Sequence, residues 1–229
     1  MRKPFMFLFI LLFSTHIYAQ KRIEKIEEDF NKIKVSSNII ANIHINANEN
    51  KVVIDGLDKT EVDVRFRRDE LRVSLPLNHL FSNSDTQIDI YVKSIQEIEA
   101  TSSAELQIKG LINQNKISMK AVEMASIDAE IDVEKLELYL LTGGSIRLHG
   151  KAKVQHVIIK TGAEYYGELL KTKTTNVEIS YKGIAEVFAS ESCTATVIAG
   201  GEVSVFGNPA SLEETTKLGG IVKRVVVNK

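Results

Sequence analysis

From Ile95 to Gly207 the chain repeats one short pattern of apolar and small residues about every twenty positions. A run rich in Val, Ile and Leu leads into small residues and glycines, and a second short run follows. The variants include IEATSSAELQI (98–108), YLLTGGSIRL (139–148), EISYKGIAEVF (178–188) and VIAGGEVSVFG (197–207). Aligning them puts Ile98, Met119, Leu138, Val157, Val177 and Ala195 in one column, and Ala100, Ala121, Leu140, Ile159, Ile179 and Val197 in a second, two residues later. All twelve are apolar, whereas the residues between them (Glu99, Lys120, Tyr139, Ile158, Glu178, Thr196) are mixed. Alternation with a period of two marks a strand with one buried face. Recurrence at this longer period marks a solenoid, whose units bury their apolar faces only against one another. The pattern predicts a single-domain, all-β, right-handed parallel β-helix of about twenty residues per turn. Each filled interior slot contributes about 1.5–3 kcal/mol by burial. Gly143-Gly144, Gly162, Gly183 and Gly200-Gly201 fall at the corners, where tight bends favour a residue without Cβ. The competing architecture, an antiparallel β-sandwich, has no reason to repeat one corner.

These small-residue corners, the run YKGIAEVFASESCTATVIAGGEVSVFG and the closing LGGIVK (218–223) resemble a bacterial family, "putative auto-transporter adhesin, head GIN domain". The resemblance runs from about Phe30 to Val225. Corners 101–104 and 122–125 depart from the pattern in containing no glycine. The resemblance implies an exported, β-helical, non-catalytic domain and brings no functional residues to carry over.

The flanks read differently. Arg2 and Lys3, the apolar run Phe5–Phe13 and Ile17-Tyr18-Ala19 predict a signal peptide over 1–19, too short in its apolar part for a comfortable membrane span. No cysteine follows that run, so no lipid-modified amino terminus is expected. Residues 20–29 (QKRIEKIEED) read as an exposed linker or a short helical turn. Strands are expected at Ile33–Val35, Ile39–Asn46, Lys51–Asp55, Glu61–Arg67, Glu70–Leu75 and Gln87–Val92, as a less regular portion or cap over 30–94. Residues 76–84 read as a loop with Leu80-Phe81 packed down. Regular repeats span 95–207, and 208–229 forms a C-terminal cap, with a short helical turn over Ala210–Thr216 and a strand at Ile221–Val227. Glu214 and Thr216 occupy the next column positions, so the apolar columns stop there.

Without Arg2 and Lys3 the net charge is −3. That balance excludes nucleic acid and anionic membrane as expected partners, since both attract clustered Lys and Arg. Cys193 is the only cysteine and has no histidine near it in sequence, so no internal disulfide forms and it reads as a small buried residue. The histidines of the mature chain (His44, His79, His149, His156) lack the three or four convergent ligands of a zinc site. Corner serines and threonines have no evident base partner, and no phosphate-binding glycine pattern opens a helix. No catalytic, metal or cofactor site is therefore expected.

Two weak binding constellations stand out. Acidic residues lie at or near the corners: Glu105, Glu123, Glu164, Glu186 and Glu202. The last three follow equivalent glycine corners and could stack as a carboxylate ladder for a cation, or form a solvated polar row. Tyr165-Tyr166, with Tyr181 one turn later, could present a sugar-stacking strip, or fill and edge the solenoid as an aromatic column. The function expected is an exported structural or adhesin-like binding module, with a glycan or cell-surface protein as partner. The alternatives are a carbohydrate-active enzyme on the same scaffold and self-association through faces or ends. The periplasm is the expected compartment, with the cell surface or medium as alternatives.

Overall fold

The computed structural model describes residues 21–76 and 86–226; the expected signal peptide and most of the 76–84 loop, including His79, lie outside them. Among the described residues there is no helix, and parallel coils stack into a β-solenoid of about seven turns, about 19 residues apart. The reason is the local alternation. Residues two apart point inward, and residues one turn apart fall in register.

One wall is a parallel stack of β6 (Glu70–Ser74), β2 (Lys32–Ser36), β8 (Glu97–Thr101), the later part of β9 (Glu105–Val122), then β10 (Ser126–Leu141), β11 (Ser145–Lys160), β13 (Leu170–Ser180), β15 (Ser192–Ile198) and β17 (Ser211–Lys217). Both sequence columns run along it in register: Ile98, Met119, Leu138, Val157, Val177 and Ala195 pair in order, as do Ala100 through Val197. All twelve are buried. The columns then meet Glu214 and Thr216, where the apolar run ends.

The second wall stacks β4 (Asn50–Asp55), β7 (Gln87–Tyr91), β3 (Ile40–His44), the early parts of β9, β10 and β11, then β12 (Glu164–Gly167), β14 (Ile184–Phe188), β16 (Glu202–Phe206) and β18 (Ile221–Arg224). Its inner column includes Ile88, Ala41, Leu106, Ile127, Ile146, Tyr165, Ala185 and Val203, all buried.

The walls meet at corners built from two successive left-handed residues: Ser102-Ser103, Glu123-Met124, Thr142-Gly143, Thr161-Gly162, Tyr181-Lys182, Ala199-Gly200 and Leu218-Gly219. The corners at 101–104 and 122–125 adopt this geometry without glycine. Backbone bonds from corner to corner hold them there, such as Ser103 N to Glu123 O (2.9 Å) and Met124 N to Thr142 O (3.0 Å). A non-glycine residue in the left-handed region costs about 1–2 kcal/mol, and the ladder of corner bonds offsets that.

The N-terminal third departs from chain order. Ile33 and Val35 of β2 lie between Leu71-Val73 of β6 and Ile98-Ala100 of β8, so β2 and β3 form an inner layer and β6 and β7 an outer one. β4 and β5 (Asp63–Arg67) run antiparallel to β7 and β6 and finish the stack. Phe30 and Phe66, with ring centroids 6.4 Å apart, bring this end into the hydrophobic core, Phe30 within it and Phe66 packed against it. Two expectations fail. Residues 20–29 are not simply a linker: β1 (Arg22–Ile26) pairs antiparallel with β4, because Ile26 gains a buried site there. Residues 210–216 are not helical: β17 continues the parallel stack through seven residue pairs with β15.

Candidate binding groove

A groove of about 990 Å³ lies on the outer side of the first wall. Its floor is set by register. Lys32, Glu97, Ser118 and Glu137 form one outward row across β2, β8, β9 and β10, and Lys120 and Tyr139 lie in the next row. Its side is raised by Ser94–Gln96, which precede β8, and by Gln114–Lys116, where β9 turns from the second wall towards the first. Asn31, just before β2, enters from the inner layer. Gln114 is fixed by donating from Nε2 to the Ile95 carbonyl (2.9 Å).

The charges around this groove are already paired. Lys116 and Lys135 flank Glu137 at 2.8 and 3.0 Å, and their hydrogen bonds hold its carboxyl below the usual range. Glu97 pairs with Lys32 at 3.5 Å. Beside the groove, burial pushes the Glu99 carboxyl up, but Lys34 (2.8 Å) and Lys120 (3.5 Å) outweigh it and bring it below normal. What remains for a ligand is a surface of amides and hydroxyls (Asn31, Gln96, Asn115, Ser94, Ser118) beside the half-buried ring of Tyr139. The Asn31 Oδ1 is buried and has no hydrogen-bond partner, and an unmet buried acceptor is costly. Among the described residues no group of three or more His, Cys, Asp or Glu is placed to hold a metal.

The residues singled out in the sequence lie elsewhere, on the second wall and its corners. Glu164 and Glu202 share an outward row, but Ile184 stands between them, and Glu186 belongs to the next row between Tyr166 and Ser204. The three do not form a ladder. Gly162 is the second residue of its corner whereas Gly183 and Gly201 are the third, so aligning glycines misplaces the register. Glu202 is paired with Lys223 at 2.8 Å, and Glu164 accepts the Tyr166 hydroxyl at 2.6 Å. Burial raises the Glu186 carboxyl, and the neighbouring charge and hydrogen bond of Glu168 raise it further.

The tyrosines do not form a strip either. Tyr165 points inward and is fully buried, because neighbours in a strand face opposite sides. Its hydroxyl donates to Gln155 Oε1 at 2.9 Å. Tyr166 points outward under the Arg147 guanidinium, 4.7 Å from the ring centre, and Tyr181 sits on an exposed corner. Gln155 itself is an interior polar residue, donating to Thr175 Oγ1 at 2.8 Å and to the Phe188 carbonyl at 3.2 Å. Cys193 is buried, and burial pushes its thiol up to about 11, which removes it as a nucleophile at neutral pH. His149 lies 3.8 Å from Glu130 on the exposed surface. The groove residues carried only a faint sequence signal, the mixed positions between the apolar columns.

Together the coils and this recess define a β-solenoid with an exposed, polar, charge-paired groove. The chain belongs to the family described as "Putative auto-transporter adhesin, head GIN domain", whose model matches residues 29–209. A comparison with curated proteins gives no match. Among solved structures it is similar to a "putative adhesin" from Bacteroides fragilis, at 17% identity and a TM-score of 0.81, covering 90% of this chain and 96% of the other. It is also similar to two proteins from Parabacteroides distasonis. One is a "putative adhesin" (17% identity, TM-score 0.68, 90% and 96% covered). The other is a "putative lipid binding protein" (15%, 0.63, 91% and 98%). At these identities the likeness shows the fold.

Proposed function

We propose that the chain is an exported, non-catalytic, adhesin-like module that holds an extended, uncharged glycan in the groove. One observation carries this reading. The groove's carboxylates and ammonium groups are paired with each other, leaving amides, hydroxyls and one aromatic ring as the free recognition groups. Such groups suit sugar hydroxyls and a sugar's apolar face, and few precisely placed polar groups fix orientation in a binding site. The adhesin family and the signal peptide expected over residues 1–19 support the same reading. The rival, a carbohydrate-active enzyme, requires one carboxylic acid with a raised pKa beside a second carboxylate. In the groove Glu137 is held in the opposite direction by two lysines, and the raised Glu186 beside Glu168 lies on the second wall, outside the groove.

A glycan array probed with the chain lacking residues 1–19, and with Tyr139→Ala and Asn115→Ala variants, tests the proposal. Binding of neutral oligosaccharides that falls at least tenfold in both variants is expected. Binding that both variants retain places the ligand elsewhere, and release of reducing ends from a bound oligosaccharide would replace the module by an enzyme. Intact precursor retained in the cytoplasm of the native cell would sink the export reading.

A further inference from the structure

The C-terminal end of the solenoid carries an unfinished edge. β17 pairs with β15 through one side, and among the described residues no strand pairs with its other side. Ser211 N bonds to Glu191 O and Lys217 O accepts from Ala199 N, each at 3.1 Å, so the odd-numbered residues of β17 spend their backbone groups on the preceding turn. Amide and carbonyl of one residue point the same way and alternate along a strand. The even-numbered residues, Leu212, Glu214 and Thr216, therefore aim their backbone groups outward along the solenoid axis. Glu214 and Thr216 also take the inward column positions above Ala195 and Val197, yet both are exposed because nothing described lies over them. Leu218, at the following corner, is 82% exposed.

This edge is complementary to itself. Two copies related by a two-fold axis would pair β17 with β17 in antiparallel fashion, and backbone parity admits only registers that set even residues against even ones. Centring the axis on Glu214 would oppose that carboxylate to its own copy, and like charges directly opposite are unfavourable. Centring it on Thr215 removes that conflict. Glu213 then faces Lys217 of the second copy, twice over, on the outer surface. Glu214 faces Thr216, whose hydroxyl donates to the carboxylate and whose outward backbone groups exchange two hydrogen bonds with it. Thr215 meets itself. Among the described residues neither Glu213 nor Lys217 has an ion-pair partner within the chain.

We propose that the chain forms a tail-to-tail dimer in which β17 pairs antiparallel with its copy about Thr215, extending the first wall from one molecule into the next. The occupant of the edge is a second copy of this chain. Pairing of this kind blunts an edge that would otherwise template open-ended association, and the two-fold closes it at two subunits. It also places two grooves on one rigid body, which raises avidity for a repeating ligand. The inference stands without the glycan reading.

Sedimentation of the chain lacking residues 1–19, over a range of concentrations, is the test. A reversible dimer is expected. Glu213→Lys and Lys217→Glu should each weaken it at least tenfold, and the double exchange should restore it, which a merely structural role of either residue would not do. Thr215→Cys supplies a second readout. A pair without ladder hydrogen bonds holds its α-carbons about 4.5 Å apart, within disulfide reach, so this variant should crosslink under mild oxidation while buried Cys193 does not. A wild type that stays monomeric throughout, a dimer indifferent to both charge reversals, or Thr215→Cys that fails to crosslink would overturn the proposal.

Discussion

Truncating Ile159 to alanine perturbs the centre of the second sequence column. Ile159 is fully buried between Leu140 and Ile179 in register. The change removes three carbons, which at about 0.8 kcal/mol per methylene forfeits about 2.4 kcal/mol of transfer energy. The space left is not readily refilled. At Gly183 an added Cβ would come within 2.7 Å of the Ile159 Cγ2, so this neighbour offers no side chain to slide in. A residual cavity of about 50 Å³ adds about 1 kcal/mol, for a loss near 3.5 kcal/mol. Lys160, next in sequence, is exposed, and its change to alanine should shift stability by less than about 0.5 kcal/mol. Ile159→Lys places an unpaired charge inside and should prevent folding. Urea denaturation followed by circular dichroism measures the first two, read as midpoint shifts at constant slope. If Lys160→Ala proves as damaging as Ile159→Ala, the stacked interior described above is the wrong account of stability.

Gln155→Leu should cost about 2–4 kcal/mol in the same assay, because it strands the buried Tyr165 hydroxyl without its acceptor and Thr175 without its donor. Adding Tyr165→Phe should recover part of that loss; no recovery would mean that the amide matters through packing alone. Glu186→Gln should stabilise the fold at neutral pH. A carboxyl whose folded pKa is raised favours the fold below its unfolded pKa, and that contribution disappears as pH rises through the folded value. The variant's advantage should therefore shrink as pH falls through the carboxylate range. An advantage that grows on acidification would refute the direction given for this group.

The sequence by itself determined the solenoid, its two inner columns and their end at Glu214 and Thr216. These depend on two short-range regularities, side chains alternating every second residue and turns recurring every nineteen or so, and both are visible in a linear string. Strand positions from Ile33 to Val92 were legible for the same reason. Their order was not. That β2–β3 lie inside β6–β7 depends on which apolar faces meet across long separations, and alternation looks the same in either arrangement. The second wall's outward register also escaped, since a glycine can fill either of two places in a left-handed corner while the strands align on backbone bonds. For residues 210–216, polar composition suggested a helical turn, but the free edge of β15 captured them as a strand. The groove belongs wholly to tertiary structure. Asn31, Gln96, Asn115 and Tyr139 come from separate coils, and only stacking brings their side chains onto one concave surface.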